Sequence, residues 1–531
     1  MVNVNELPVS LDSNATHTLR AFSPVVKDYL PGEYPVATLS EINKVGTASE
    51  KAFSVYSKKT AEERAVFLEA IGDEIMALGG ELIHRTMLES GLPEARLIGE
   101  RARTVGQLKL FAELLREGSW VEAVIDTALP DRKPLPRPDL RKMLIPIGPV
   151  LVFGASNFPF AFSTAGGDTA SALAAGNPVI VKAHEGHLGT HKLIADAIKS
   201  AAQKTNMPDA VFSSVVSDDI DTIQHLIKHE AVKAIGFTGS YKAGMSIFRT
   251  AATARKTPIP VYAEMSSINP VLLLPGKLEK ESNAVAAQLA ASITLGTGQF
   301  CTNPGLLFLI ESETAEKFTD VLSNQLMNVA PTTMLNRNVC NNYYNSKSSL
   351  QQQPGVKVVA AVESAADDIR GAAVLLQTNA ADFIANENLQ AEVFGPCSLI
   401  VKCRDHHELV QAIYSLHGQL TGTVIGLKED LETFASCIEV LTGKVGRLLY
   451  NGVPTGVEVC HAMVHGGPYP ATTNAGSTSV GADAIKRFAR PVCLQDCPAE
   501  FLPLALKNEN SLNIMRKING HYTRDNLTTN G

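Results

Sequence analysis

Residues 39–91 carry apolar side chains at three- and four-residue intervals, the spacing of helices that bury one face. Thr60 followed by Glu63 reads as a capping box opening a helix within that stretch. Residues 94–120, EARLIGERARTVGQLKLFAELLREGSW, continue the helical pattern. The charged, Pro-rich LPDRKPLPRPDLRK then interrupts it and predicts an extended connection. From residue 143 the texture changes to short apolar runs: MLIPIGPVLVFGA, NPVIVKA, AVKAIGFTGS and PIPVYAE. These read as strands, and FSTAGGDTASALAAG, LGTHKLIADAIKSAAQK and YKAGMSIFRTAA read as the helices between them. Strands alternating with helices predict βαβ units and a parallel sheet. The alternation resumes after residue 275 with ESNAVAAQLAASITLG, GLLFLI, AEKFTDVLSNQLM and GTVIGL. Two α/β halves in tandem are expected.

Composition changes this picture little. The chain has 531 residues, 45% hydrophobic and 19% charged, with room for two or three domains. A formal net charge of −7 supplies no basic footprint for nucleic acid or an anionic membrane. MVNVNELPVSLDSNATHTLR lacks the pattern of a secretory signal, and no apolar run reaches a membrane-spanning length. A cytoplasmic protein with reduced thiols is therefore expected. Its eight cysteines are scattered; Cys493 and Cys497 lack the companion pair of a zinc site, and no metal is expected. Asn14-Ala15-Thr16 and Asn526-Leu527-Thr528 match the glycosylation sequon, read as chance matches without a secretion signal.

Several loops carry candidate chemistry. FTGSYKAG places Gly239 and Ser240 where a strand meets a helix, a position that lets backbone N–H groups approach a phosphate. It is not the GxGxxG fingerprint, and taken alone it reads first as a plain strand-to-helix turn. VKAHEGH sets Lys182 and Glu185 past another strand end, the side where open α/β sheets bind ligands. Glu264 follows PIPVYA in apolar company, where burial is expected to raise its pKa toward that of a general base. Its alternative is a carboxylate that caps or pairs. Asn157, in SNFPF, offers an amide to a developing oxyanion or serves an ordinary turn. Cys301, in GQFCTNPG, is either a nucleophile or core filling. A thiol, a base and an amide beside a dinucleotide-like turn suggest carbonyl oxidation through a covalent adduct.

SNFPF, VIVKAHE, GFTGS, AEMSS, GQFCTNPG and EVFGP occur in the order of the aldehyde dehydrogenase superfamily, which the chain resembles along essentially its whole length. The resemblance implies Cys301 as nucleophile, Glu264 as base, and Asn157 with the Cys301 N–H as oxyanion hole. It implies Gly239 and Ser240 at the pyrophosphate and Thr238 near the nicotinamide. Lys182 and Glu185 would meet the adenosine ribose, and Glu392 and Phe394 the nicotinamide ribose and ring. The departure is Met265-Ser266-Ser267, where the family usually has Leu-Gly-Gly; two lost glycines put the resting position of Glu264 in question.

NGVPTGVEVCHAMVHGGPYPATTN (451–474) and RPVCLQDCPAEFLPLAL (490–506) resemble the members that oxidise 2,5-dioxopentanoate, the semialdehyde of 2-oxoglutarate. Oxidation of long-chain aldehydes is the competing expectation, and a catalytically idle binding protein the third. The resemblance places the substrate tunnel wall at Gln107, Phe111, Phe162 and His465, with His465 open between ligand contact and packing. Arg103 and Arg116 are cations near that helix, expected as exposed charge. Glu185 would repel a 2′-phosphate, so NAD is favoured over NADP. The implied fold is two Rossmann-type α/β domains with a small β oligomerisation element. The cofactor-binding domain would take 1–125 and 143–265, the oligomerisation element 126–142 and 478–497. The catalytic domain would take 266–477, with 498–531 as a tail, in a homodimer or homotetramer.

Overall fold

The computed structural model describes residues 17–364 and 369–528; the sequon at Asn14 lies outside them. Its helical start follows from local capping. Thr60 accepts from the Glu63 N–H while the Glu63 carboxylate accepts from the Thr60 N–H, opening the helix Ala61–Ala77. Thr38 and Glu41 build a second box at the head of Leu39–Tyr56. With Gly79–Ser90 and Glu94–Glu117, these helices lean on a parallel sheet, and Phe67, Leu68 and Phe111 share one apolar cluster with Val150, Leu173 and Ile198.

That sheet has five parallel strands in the order Val261–Glu264, Ala234–Thr238, Val150–Phe153, Val179–Lys182, Phe212–Val215. VLVF and VIVK are buried throughout, as strands covered on both faces must be. Register brings the carboxyl ends level: Phe153 pairs with Lys182 and Phe237, and Thr238 with Glu264. One edge of the sheet thus collects the candidate cofactor loops and the candidate base.

A second sheet of seven strands runs Lys357–Ala361, Val374–Asn379, Cys397–Cys403, Leu306–Ile310, Pro270–Leu273, Gln419–Ile425, Val445–Tyr450. Every neighbouring pair is parallel except the first, which is antiparallel. Cys301 and Glu392 each stand just before a strand of this sheet, so its amino edge carries them.

A third, mostly antiparallel sheet joins Ala489–Gln495, Leu140–Pro146, Val124–Asp126, Arg516–Ile518 and His521–Thr523. The run 143–155, read as one strand, is two. Residues up to Pro146 belong to the small sheet, and Val150–Phe153 to the five-stranded one. Gly148 makes the break with φ +120°, and Asn177 Oδ1 accepts from the N–H groups of Ile147 and Gly148. The helix read from 162 begins at Gly167, because residues 156–166 are held as turns by contacts described below. No helix is long and apolar enough to cross a membrane among the described residues.

Candidate active site

The two sheet edges meet around Cys301. The cysteine loop is fixed from behind: Asn269 Nδ2 donates to the carbonyls of Cys301 and Asn303, both at 2.8 Å. Gly298, at φ +64°, lies so close to the EVFGP loop that a Cβ would meet the Gly395 carbonyl carbon at 2.4 Å. Asn303 Nδ2 donates to the Gly395 oxygen at 3.1 Å and ties the same two loops.

Glu264 is buried and faces the thiol. His465 Nε2 stands 2.9 Å from its Oε1, and the Ser479 hydroxyl donates to its Oε2 at 2.7 Å. His465 is itself buried, with Nε2 at 3.5 Å from Cys301 Sγ. The segment 471–473 brings His465 in by running beside the strand of Glu264, where the Met265 N–H donates to the Ala471 carbonyl at 2.7 Å. The donor atoms of Glu264, Cys301 and His465 all lie within 4.8 Å of one another.

Electrostatics here corrects one expectation. Burial alone would raise the Glu264 carboxyl, as the sequence suggested. The neighbouring His465, with hydrogen bonds from His465, Ser479 and Cys301, outweighs it and holds the group below its ordinary value. Glu264 therefore rests ionised. Cys301 moves the other way: burial, then the charge and hydrogen bond of Glu264 and the charge of Glu392, push its thiol well above the ordinary range. Burial also raises Glu392 to about 7, against hydrogen bonds from Ser266 and the Ser267 N–H.

Met265-Ser266-Ser267 takes no left-handed backbone, so the absent glycines leave no strain. Ser267 Oγ instead joins Asn269 Oδ1 at 2.9 Å and Gln419 Oε1 at 3.0 Å, and the Gln419 oxygen accepts from the Ile268 N–H at 2.7 Å. The two serines are part of the scaffold that carries Glu264 forward to the cysteine loop.

Asn157 Nδ2 lies 3.1 Å from the Gln299 carbonyl, which leaves its second N–H for a ligand. The Cys301 N–H has no partner among the described residues. Two residues absent from the sequence reading hold this turn. Arg96 donates from Nη2 to the Asn157 carbonyl at 2.6 Å, with its guanidinium 4.9 Å from the Phe158 ring and 4.8 Å from the Phe300 ring. Glu100 Oε1 accepts from the N–H groups of Phe160 and Ala161 at 2.8 and 3.0 Å.

A cleft of about 650 Å³ opens from the thiol, a volume suited to a cofactor-sized ligand. Asn157, Phe162, Lys182, Glu185, Thr238, Gly239, Ser240, Glu264, Cys301, Glu392 and Phe394 line it, so the structure unites nearly all the residues singled out by sequence. Lys182 is ion-paired with Glu185, whose carboxyl that cation holds low against burial. Ser240 caps the helix Tyr241–Thr253, and a Cβ at Gly239 would meet the Phe237 ring at 2.7 Å. A dinucleotide fits this donor set: a lysine and a carboxylate at one strand end, and a small-residue helix start at the next. Gln107 is buried near Gly167 and Ser479, while Phe111 is wholly buried in the core and lines no part of the cleft. Arg116 is exposed as expected, paired with Glu62 and Glu69. Arg103 differs from its expectation: it turns inward over Phe162.

Comparison with known proteins agrees with this geometry. A sequence profile described as the aldehyde dehydrogenase family matches residues 11–489. Alpha-ketoglutaric semialdehyde dehydrogenase 2 of Azospirillum brasilense is 49% identical, covering 95% of this chain and 96% of its own. The alpha-ketoglutaric semialdehyde dehydrogenase of Acinetobacter baylyi is 44% identical, covering 94% and 95%. Among solved structures, aldehyde dehydrogenase 21 from Physcomitrella patens, in complex with the reaction product succinate, superimposes with a TM-score of 0.76. It has 18% identity and covers 91% of this chain and 95% of its own. A 1-pyrroline-5-carboxylate dehydrogenase from Thermus with bound NAD gives 0.73 at 18% identity, covering 91% and 90%.

Proposed function

The chain belongs to the aldehyde dehydrogenase family, and from that premise we propose that it oxidises 2,5-dioxopentanoate, alpha-ketoglutaric semialdehyde, to 2-oxoglutarate. As a member it is an oxidoreductase acting on aldehydes with NAD or NADP. The observation that carries the site assignment is Cys301 facing an ionised Glu264 in a dinucleotide-sized cleft. The two relatives that match nearly end to end support the substrate.

The residues divide the work as follows. Glu264 accepts the thiol proton, and the Nε2–H of His465 then lies within reach of the thiolate sulfur. Sulfur attacks the aldehyde carbon, while the second Asn157 N–H and the Cys301 N–H receive the oxyanion. Lys182, Glu185, Thr238, Gly239, Ser240, Glu392 and Phe394 would hold a nicotinamide dinucleotide, which would supply the hydride acceptor. Glu264, once it has passed the thiol proton to solvent, takes a proton from the water that attacks the Cys301 thioester, and returns it to the departing thiolate as the carboxylic acid is released.

Glu185, ionised beside Lys182, accepts from ribose hydroxyls and repels a 2′-phosphate, which favours NAD. Glu185→Ser therefore raises the efficiency with NADP relative to NAD, and an unchanged ratio would sink that preference. The small β element, residues 126–142 and 478–497, serves as the contact between copies. The central test is reduced-cofactor formation with 2,5-dioxopentanoate, succinic semialdehyde and decanal side by side, with Cys301→Ala as control. Preference for the dioxo acid, lost in the variant, is expected. Preference for decanal would move the enzyme to long-chain aldehydes, and absence of cysteine-dependent turnover would make it an idle member.

A further inference from the structure

Arg96, Glu100 and Arg103 follow one another at helical spacing on Glu94–Glu117, and the first two bond the Asn157 turn while each keeps one buried atom, Nη1 and Oε2, without a partner among the described residues. Arg103 has no bond to that turn, and both its terminal nitrogens are left over. Its Nε donates to the Val457 carbonyl at 3.2 Å. Nη1 and Nη2 are both shut away from solvent, with no hydrogen-bond partner among the described residues. A guanidinium left this way is expensive, and burial presses its pKa down against the pull of Glu100.

The position of this unpaired fork is informative. The guanidinium carbon lies 5.3 Å from the centroid of the Phe162 ring, which lines the Cys301 cleft. The Phe162 ring is 6.0 Å from that of His465, and His465 Nε2 is 3.5 Å from Sγ. One aromatic ring thus separates the fork from the imidazole that touches the nucleophile. Its orientation is fixed as well, because Arg447 grips the same backbone segment. Arg447 Nη1 donates to the Gly456 carbonyl at 3.0 Å, and Nη2 to that of Pro454 at 2.8 Å.

We infer that Arg103 is the anchor for the substrate carboxylate, its free Nη pair receiving the acid end of a short oxo acid whose aldehyde end meets Cys301. The inference rests on the proposed oxidation of an oxo-acid semialdehyde and deepens it. Two parallel N–H groups match the two oxygens of a carboxylate, and a lysine does not reproduce that fork. An alkyl chain in the same place leaves the fork unpaired, so the residue also selects against uncharged aldehydes.

The test compares 2,5-dioxopentanoate with pentanal, an uncharged aldehyde of equal length, in wild type, Arg103→Met and Arg103→Lys. In Arg103→Met the loss of kcat/KM on the oxo acid exceeds that on pentanal by roughly 10- to 100-fold, mainly through KM, and Arg103→Lys recovers only part. Equal losses on both aldehydes, or no loss on the oxo acid, overturn the anchor. A second arm needs no turnover: glutarate slows alkylation of Cys301 by iodoacetamide in wild type and not in Arg103→Met. Equal protection in both overturns the proposal. Glutarate protection confined to wild type, in an enzyme that prefers pentanal, supports the anchor while removing the proposed substrate.

Discussion

Cys301 must lose a proton before it attacks, and its surroundings oppose that loss through burial and the charges of Glu264 and Glu392. Glu264→Gln removes the larger of those two charges together with the acceptor of the thiol proton. The pH midpoint of Cys301 alkylation by iodoacetamide therefore moves down in this variant; an unchanged or raised midpoint would refute the electrostatic account. The same variant lacks the base for thioester hydrolysis. Rapid mixing should show a burst of reduced cofactor and a steady rate roughly 10²- to 10⁴-fold below wild type. His465 makes a further prediction. Thiolate, imidazole and carboxylate donors within 4.8 Å form a set that zinc accepts, yet His465 Nδ1 has no partner among the described residues to reinforce it. Added Zn²⁺ should inhibit reversibly, EDTA should restore activity, and His465→Phe should need at least roughly tenfold more zinc for the same block of Cys301 alkylation, where equal sensitivity would refute the site. In sequence, His465 was open between contact and packing, because 201 residues separate it from Glu264 and no local pattern encodes that meeting.

At the scale of elements, one helix sets the active-site turn. Glu94–Glu117 reaches the SNFPF turn through Arg96 and Glu100, and Arg96 also touches Phe300, next to the nucleophile. Arg96→Ala releases the Asn157 carbonyl and the gap between the two rings. The expected result is a kcat loss of roughly 10- to 100-fold, part of the effect of deleting an oxyanion donor, with cofactor affinity by fluorescence titration retained. Loss of cofactor affinity instead would show that the arginine supports the whole edge and not the turn. The helix itself was legible from its apolar spacing, and the strand-end motifs from their small and polar residues. Arg96, Glu100, Asn269 and Gln419 were not, since in sequence each is an ordinary polar residue. Their roles come from bonds that span 61, 60, 32 and 151 residues. The single strand read over 143–155 failed for a related reason: proline, glycine and the distant Asn177 divide an apolar run that looks continuous.

Over the whole molecule, the carboxyl edge of one parallel sheet faces the amino edge of another, and the third sheet stands apart from the reaction. Residues beyond 497 take part in that third sheet: Leu502, Ala505, Leu506 and Ile514 pack on Ala123 and Ile125, and Arg516–Ile518 pairs with Val124–Asp126. Three large side chains of this extension are left in water, with Phe501 74%, Leu504 54% and Tyr522 73% exposed. Exposed large apolar side chains are candidates for a contact with another molecule. If copies of the chain meet there, light scattering after size exclusion gives a dimer or tetramer for wild type. Joint substitution Phe501→Ser, Leu504→Ser and Tyr522→Ser then shifts the mass toward the single chain. The substituted positions lie outside the core clusters, so thermal unfolding of the subunit should persist as a cooperative transition. An unchanged oligomer in the triple variant would place the contact on the other edge of the sheet, at Ala489–Gln495, where the strand has a neighbour on one side only.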